Sequence, residues 1–413
     1  MNQDTGEEIL TALDLGATKA CALLGVVRDG SLTVIGTGKA PCYGIQKGVI
    51  IDIEPTVEAI AAAVREAEKE AGTKAGPVFA TVSGQHIKSA TSDGSVTVHN
   101  RDHGITEDDV RRVLDQAVVH AESTTDHEVL HTIPVVYSVD GQDGIRNPLG
   151  MYGNKLIAKV RIITGAVSCV QNVVRCVQMA ELVPQGLVLH SLASEKAVLG
   201  PEEREMGVVC IDIGGSTTDL AIIIGKSVRH TAVIPVGGDL ISKDVSVGLR
   251  IPYESAEAVK RSDGSCMVSE VREEETVEIP ASGGRQSKSI PRRTLARIIE
   301  ARVEDIFDGV KAELVVAGFG EGELAGGLVI TGGCAHLPFI VAKAEKTFDV
   351  LAARVGIPSA TVNSPEALRM PEYAAAVGLL IEAAENRRHA PAARRKSSFG
   401  GFSKMLKDWV RGA

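Results

Sequence analysis

Asp14-Leu-Gly-Ala-Thr-Lys19 and, 198 residues further on, Asp212-Ile-Gly-Gly-Ser-Thr-Thr-Asp219 decide how this chain folds. Each follows an apolar run, 9–13 and 208–211. Each presents an acidic residue, a glycine turn and hydroxyls, and each is followed by a second apolar run, 20–27 and 220–224. That pattern predicts a β-hairpin whose tight turn exposes backbone N–H groups, a concavity suited to phosphate oxygens. A carboxylate at the strand end suits a hydrated Mg2+, which keeps most of its waters and needs only one or two protein carboxylates. Asp-x-Gly turns also close ordinary type I′ or II′ hairpins. Two copies, one in each half of the chain, point instead to a duplicated fold that grips a nucleotide from both sides. A third glycine turn, Gly332-Gly333-Cys334-Ala335, follows the run Gly327-Leu-Val-Ile-Thr331 and precedes a helical-looking stretch, 336–350. Glycines there let the backbone approach a flat base.

In these three motifs the chain resembles the actin-like ATPases, whose superfamily includes sugar kinases and heat-shock chaperone ATPases. Residues 14–19 look like the first phosphate motif, 212–219 the second and 332–335 the adenosine motif. Five further segments are similar to the FtsA family of bacterial division proteins. They are Gly44-Ile-Gln-Lys-Gly-Val49, Val82-Ser-Gly-Gln-His-Ile87, Leu130-His-Thr-Ile-Pro134, Gly144-Ile-Arg-Asn-Pro-Leu-Gly150 and Arg229-His-Thr-Ala-Val-Ile-Pro235. Their order and spacing are specific, and the resemblance runs from about residue 9 to the C-terminus.

The resemblance implies an α/β, duplicated actin-like (ribonuclease H-like) fold with two inserted subdomains and a C-terminal amphipathic helix. Subdomain 1A would comprise 1–83, 165–203 and 366–385, with 1C inserted at 84–164. Subdomain 2A would comprise 204–240 and 305–365, with 2B at 241–304. It also implies a nucleotide site for ATP and Mg2+. Asp14 and Asp212 would hold Mg2+ through water. Backbone around Gly16, Ala17, Gly214 and Gly215, with the hydroxyls of Thr18, Ser216 and Thr217, would hold phosphates, and Lys19 would add positive charge. Ser216 stands where the family motif often has glycine; it stays small and adds a donor. Gly238 would join the site, Gly332, Gly333 and Cys334 would approach the base, and Glu257 and Lys260 would flank adenine and ribose. The spacing of Glu257 and Lys260 puts both on one helix face, which also suits an ordinary surface ion pair. Related ATPases carry a carboxylate or amide near the helix before the second phosphate motif. Alignment on Ala197-Val-Leu-Gly200 puts Ala193 there, with Glu195 two residues on and pointing elsewhere. The expectation is ATP binding with slow hydrolysis and no assigned catalytic residue.

Composition fits a protein of the cell interior. At 413 residues the chain is long enough for two to four domains with sizeable cores. Apolar residues make up 44% but aromatics only 3%, so the cores must be built from Val, Ile, Leu and Ala. Seven scattered cysteines without CxxC or paired-histidine spacing suggest reduced thiols rather than disulfides or structural zinc. Residues 1–8 are polar and acidic, unlike a signal peptide, and no apolar run reaches 18 residues.

Charge is uneven. Residues 386–413 carry eight basic residues and one acid, a net of +7, which leaves −16 on the remainder of a chain whose total is −9. An acidic body argues against nucleic acid as a partner. Phe402, Met405, Leu406, Trp409 and Val410 fall on one helical face, with Lys404, Lys407, Asp408 and Arg411 elsewhere. Trp409 is the lone tryptophan. A basic amphipathic helix with an interfacial tryptophan suits an anionic membrane surface, and the same spacing suits a partner groove. Residues 386–398, basic and rich in Ala, Pro and Arg, would tether the helix 399–413, which FtsA proteins carry at this place.

Elsewhere, a helix is expected to start near Pro55 with Val57, Ile60, Ala61, Val64 and Ala67 as its stripe, ending before Gly72. Another is expected after a Thr106/Asp109 cap, with strands near 95–99, 130–139 and 155–164 and a helix near 168–181. A long helix should follow Pro291. In FtsA proteins this second insertion receives the C-terminal tail of the tubulin-like protein FtsZ, and Lys288, Arg302 and Asp305 are candidate contacts by position. The resemblance further implies self-association into protofilaments, anionic inner-membrane lipids as partners, contact of later division proteins with 84–164, and a place on the cytoplasmic membrane face at the division site. A pilus-assembly scaffold of the same fold and a metabolic kinase of the same superfamily are the alternatives.

Overall fold

The computed structural model describes residues 8–28, 30–99, 104–121, 126–279, 287–349, 351–359 and 362–389. The tail residues Phe402, Lys404, Met405, Leu406, Lys407, Trp409, Val410 and Arg411 lie outside the described residues, as does most of the segment expected to tether them.

β1 (Leu10–Leu15), β2 (Lys19–Arg28) and β3 (Ser31–Pro41) form an antiparallel meander. A small hairpin, β4 (Ile45–Gln46) and β5 (Val49–Ile50), leads into α1 (Ile53–Ala71). The helix begins at Ile53, two residues before Pro55, which still lies in the first turn, where N–H groups lack helical partners. It stops at Gly72, whose φ of 67° is left-handed. α1 lies close on β3 because a Cβ on Gly38 would sit 1.9 Å from the Ala63 carbonyl. β6 (Val78–Val82) then pairs parallel to β1.

The chain now leaves this sheet. β7 (Lys88–Thr97), α2 (Glu107–His120), β8 (His127–Val139), β9 (Gln142–Ile145) and β10 (Lys155–Ala166) build a separate sheet in the order β7-β10-β8-β9. Leu156, Ala158, Val160 and Ile162 alternate along β10 and are buried with Val113 and Ala117 of α2. Thr106 and Asp109 form the expected capping box. α3 (Val167–Met179), β11 (Pro184–Leu189) and α4 (His190–Val198) return to the first sheet.

The second half repeats the plan. After α5 (Pro201–Met206), the strands β12 (Val208–Ile213), β13 (Thr218–Ile224) and β14 (Ser227–Ile234) form a second meander. α6 (Gly238–Leu249), α7 (Tyr253–Asp263), the hairpin β15 (Thr276–Ile279) with β16 (Lys288–Pro291), and α8 (Arg292–Ala317) follow. β17 (Leu328–Thr331), α9 (Ile340–Phe348), β18 (Ala353–Val355) and α10 (Ala374–His389) complete it. The sheet orders are β3-β2-β1-β6-β11 and β14-β13-β12-β17-β18, each an antiparallel meander extended by two parallel strands.

α4 and α10 lie between the two sheets in one apolar core that takes Ala12 and Leu23 from the first and Cys210 and Ile223 from the second. They cross closely because a Cβ on Gly378 would sit 1.7 Å from the Ala193 carbonyl. α8 runs unbroken through the boundary expected at 304/305, and α5 spans that expected at 203/204. α10 extends to His389, so residues 386–389 continue a helix rather than opening a tether. The helical stretch expected at 336–350 is shorter, a single 3-10 turn, Gly333–His336, followed by α9.

Candidate functional site

The β1–β2 and β12–β13 turns face each other across a cavity of about 460 Å3. Each hairpin is closed by its glycine, Gly16 N–H donating to the Lys19 carbonyl (3.0 Å) and Gly214 N–H to that of Thr217 (2.9 Å). A Cβ on Gly215 would lie 2.6 Å from Thr18 Cγ2, so the two turns can approach only with glycine there. The Gly214 and Gly215 carbonyls accept from the N–H groups of Gly238 and Asp239 (2.9 and 2.7 Å). That fixes the start of α6 beside the second turn, with its positive end towards the cavity.

Asp14 and Asp212 end their strands at equivalent places and are both buried. Thr81 Oγ1 donates to Asp14 (2.9 Å), and Ser194 Oγ donates to Asp212 (2.5 Å). Behind them Asp219 accepts from Ser83 (2.6 Å) and Thr217 (2.8 Å), the former bond joining the two halves. Between the three carboxylates stands His190, the first residue of α4. Its Nε2 is 3.4 Å from Asp14, and its Nδ1 is 3.7 Å from Asp212 and 4.0 Å from Asp219. Burial alone would depress the imidazole, but Asp212, Asp14 and Asp219 raise its pKa to about 10. Burial opposes ionisation of Asp14 too, yet His190, Thr81 and Lys19 hold its carboxyl below the ordinary range. Asp212 goes the other way. Burial, with Asp219 and Asp14 nearby, lifts it to about 6 against the pull of His190 and Ser194.

The third glycine turn closes the cavity from the side. Gly332 has φ 83°, and a Cβ there would lie 2.2 Å from Asp212 Oδ1, so only glycine fits. A Cβ on Gly238 would meet Cys334 Sγ at 2.6 Å. Burial pushes the Cys334 thiol up to about 11, leaving it neutral. Lys260 Nζ bridges the Gly238 carbonyl (3.1 Å) and Glu257 (2.6 Å), and Ser242 also donates to Glu257. Lys19 Nζ stacks over the Tyr373 ring at 4.4 Å.

Asp14, Gly16, Ala17, Thr18, Lys19, Asp212, Gly214, Gly215, Gly238, Glu257, Lys260, Gly332, Gly333 and Cys334 all line this cavity. Ser216 and Thr217 do not, and the Thr217 hydroxyl is turned to Asp219. Ala193 is fully buried, and Glu195 turns away from the cavity to Arg204, its carboxyl lifted to about 7 by burial. The side chain that α4 does send to the cavity is His190, which sequence reasoning missed because it put the relevant position three residues later. Asp239, His336 and Glu372 also line the cavity and carried no motif to mark them. In the second half, Arg302 is held by Asp244 (2.6 Å) and Asp305 (2.9 Å), while Lys288 stands exposed at the start of β16, outside that cluster.

The cradle suits a hydrated cation with phosphates: two buried carboxylates, two glycine turns and a helix start converge on one space. Among the described residues no group of three or more His, Cys, Asp or Glu could hold a metal by itself, and a water-mediated site does not require one.

Residues 209–378 match the family model described as cell division protein FtsA, and residues 84–164 match the SHS2 domain inserted in FTSA. A cell division protein FtsA of Pseudomonas aeruginosa is 38% identical over 375 residues, covering 91% of this chain and 89% of the relative. Among solved structures, the PilM-PilN type IV pilus biogenesis complex aligns with TM-score 0.65 at 15% identity, over 91% of this chain and 98% of the other. MreB5 of Spiroplasma citri bound to ADP aligns with TM-score 0.50 at 16% identity, over 93% and 99%. The fold shared with these structures is the actin-like one.

Proposed function

The chain belongs to the FtsA family of cell division proteins, and on that premise we propose that it binds Mg·ATP between its two halves. It would self-associate into protofilaments on the inner face of the cytoplasmic membrane and tether FtsZ filaments there at the division site. The observation that carries the nucleotide reading is the facing of the 16–18 and 214–216 turns over Asp14 and Asp212. Bound Mg·ATP would supply the reactive phosphate and the neutralising cation. The chain's own residues bind and orient. Lys19 and the turn amides would hold phosphate oxygens, Asp14 and Asp212 would hold the cation through water, and Lys260 with Glu257 would hold the ribose side. His190 lines the cavity, with no carboxylate or amide on α4 beside it to serve as base, which fits slow hydrolysis. Nucleotide would act chiefly by favouring one disposition of the two halves, since a ligand shifts only states that it binds differently.

Three features support the assembly reading. Residues 399–413 have the pattern of a membrane-surface helix. Arg302 and Asp305 on α8, with Lys288 on the neighbouring hairpin, offer charges to the FtsZ tail. The unit 84–164 meets β11 and α10 around a second cavity of about 400 Å3, which suits contact with later division proteins. Of the alternatives, the pilus scaffold shares the fold at 15% identity, against 38% for the cell division relative.

The deciding experiment is thermal unfolding with Mg·ATP. Saturating nucleotide at about 100 times its Kd should stabilise the folded chain by about 2.7 kcal/mol. Asp212→Asn, which keeps the bond from Ser194 but removes a water-ordering charge, should lose most of that gain in Mg2+. A chain whose melting is indifferent to Mg·ATP would overturn the reading. Capture of the FtsZ tail peptide, reduced by Arg302→Glu, tests the partner.

A further inference from the structure

Two 3-10 turns meet beside the third glycine turn. One, Gly333–His336, follows Gly332, and the other, Pro371–Tyr373, leads into α10. The Pro371 carbonyl accepts from both the Gly332 N–H (3.2 Å) and the Thr331 hydroxyl (3.0 Å), so the turns are fixed to each other. Across them His336 Nε2 stands 2.5 Å from Glu372 Oε2. Both side chains line the cavity with Gly333 and Cys334, and both remain partly open, 49% and 30% exposed. A ligand in the cavity can therefore reach them.

An ionised carboxylate only accepts hydrogen bonds, and its two oxygens offer about four lone-pair sites. Burial alone would favour protonating Glu372, but His336, its own backbone N–H and Lys19 outweigh it and keep the group ionised. The His336 contact uses part of this capacity, and Glu372 lines the cavity together with Gly332 and Gly333. Adenine carries an amino donor at C6, where guanine and hypoxanthine carry a carbonyl acceptor. A carboxylate rewards the first and repels the second. We infer that Glu372, positioned by His336, reads the 6-amino group of the bound base and selects adenine over 6-oxopurine nucleotides. This rests on the nucleotide reading above and goes beyond it by assigning base choice to two residues outside every recognised motif.

Competition of unlabelled ATP and ITP, each with Mg2+, against a ribose-labelled fluorescent ATP on the full chain tests this. The wild type should prefer ATP by about tenfold or more, as expected when a polar site meets an analogue lacking the matching donor. Glu372→Gln, whose amide can donate to a C6 carbonyl, should bring the two within about threefold. His336→Gln, which keeps a donor towards Glu372, should retain the preference that His336→Ala reduces. A purine riboside triphosphate with nothing at C6 tests the unaltered chain and should bind about tenfold more weakly than ATP. An unchanged ATP-to-ITP ratio in Glu372→Gln, with both nucleotides still bound, would overturn the inference and leave the nucleotide reading standing. Equal affinity of the C6-unsubstituted nucleotide would do the same. Failure of the wild type to bind the labelled ATP at all would overturn both.

Discussion

Single histidines do unlike work in this molecule, and their surroundings decide which. His190 lies among three carboxylates and is pushed towards the charged form. His131, on β8, is pushed the other way, to about 4, because burial penalises the charge more than Glu382 supports it, with Lys196 opposing as well. Geometry gives the same answer, since His131 Nε2 accepts the Leu189 N–H at 2.9 Å and can do so only unprotonated. The sign of the consequence follows. Between pH 6.5 and 4 the unfolded chain binds this proton more readily than the folded one, so the stability contribution is present above 6.5 and is lost as pH falls towards 4. The slope from one such group is at most about 1.4 kcal/mol per pH unit. His131→Gln keeps an acceptor for Leu189 but does not titrate. Urea unfolding of the two chains across that window should show the wild type falling more steeply. Parallel curves would refute the assignment. The sequence marked Leu130-His-Thr-Ile-Pro134 only as a family-like segment. The bond to a strand 58 residues away was not legible, because nothing local signals an edge N–H in need of a partner.

At the scale of elements, the legible parts were those whose cause is local. The Thr106/Asp109 cap, the left-handed stop at Gly72 and the two glycine-turn hairpins all appear where composition and periodicity put them. Helix α10 is the contrary case. Its Ala-Ala-Ala-Val-Gly-Leu-Leu stretch is buried on nearly every side, so no amphipathic stripe announces its partners. Its partner is α4, and Gly378 sets their separation. Two glycine substitutions should therefore differ. Gly72→Ala places a side chain at φ 67° with nothing within 4 Å, so it carries only conformational strain, about 1 kcal/mol. Gly378→Ala gains about 1 kcal/mol in helix propensity but forces α4 and α10 apart against the Ala193 carbonyl. Overpacking of that kind costs about 3 kcal/mol, for a net loss near 2. Equilibrium urea denaturation reads both. A neutral or stabilised Gly378→Ala would show that the helices do not cross as described.

Over the whole molecule, duplication was legible because two hairpins repeat, but the site's floor was not. Asp14, Asp212 and Asp219 meet His190 only when both sheets and α4 are assembled, from positions spread over more than 200 residues. Charge is the other property that belongs to the entire chain. A body of −16 is repelled by an anionic bilayer, while the +7 of residues 386–413 is drawn to it. Each basic residue near such a surface contributes about 1 kcal/mol, which falls away with salt. Among the described residues no helix is long and apolar enough to cross a membrane. Attachment through a short amphipathic helix at 399–413 would be weak for one copy. Assembly would strengthen it through multivalency. Trp409, alone of its kind, reports on this directly. Titrating anionic liposomes into the full chain should shift its emission to the blue, more with Mg·ATP if nucleotide promotes assembly. Raising salt from 50 to 500 mM should weaken the shift, and Trp409→Glu should abolish flotation with the vesicles. A shift insensitive to salt would transfer the binding from charge to burial of the apolar face. No shift and no flotation, with nucleotide present, would remove the membrane from this protein's function and leave residues 402–410 to a partner's groove.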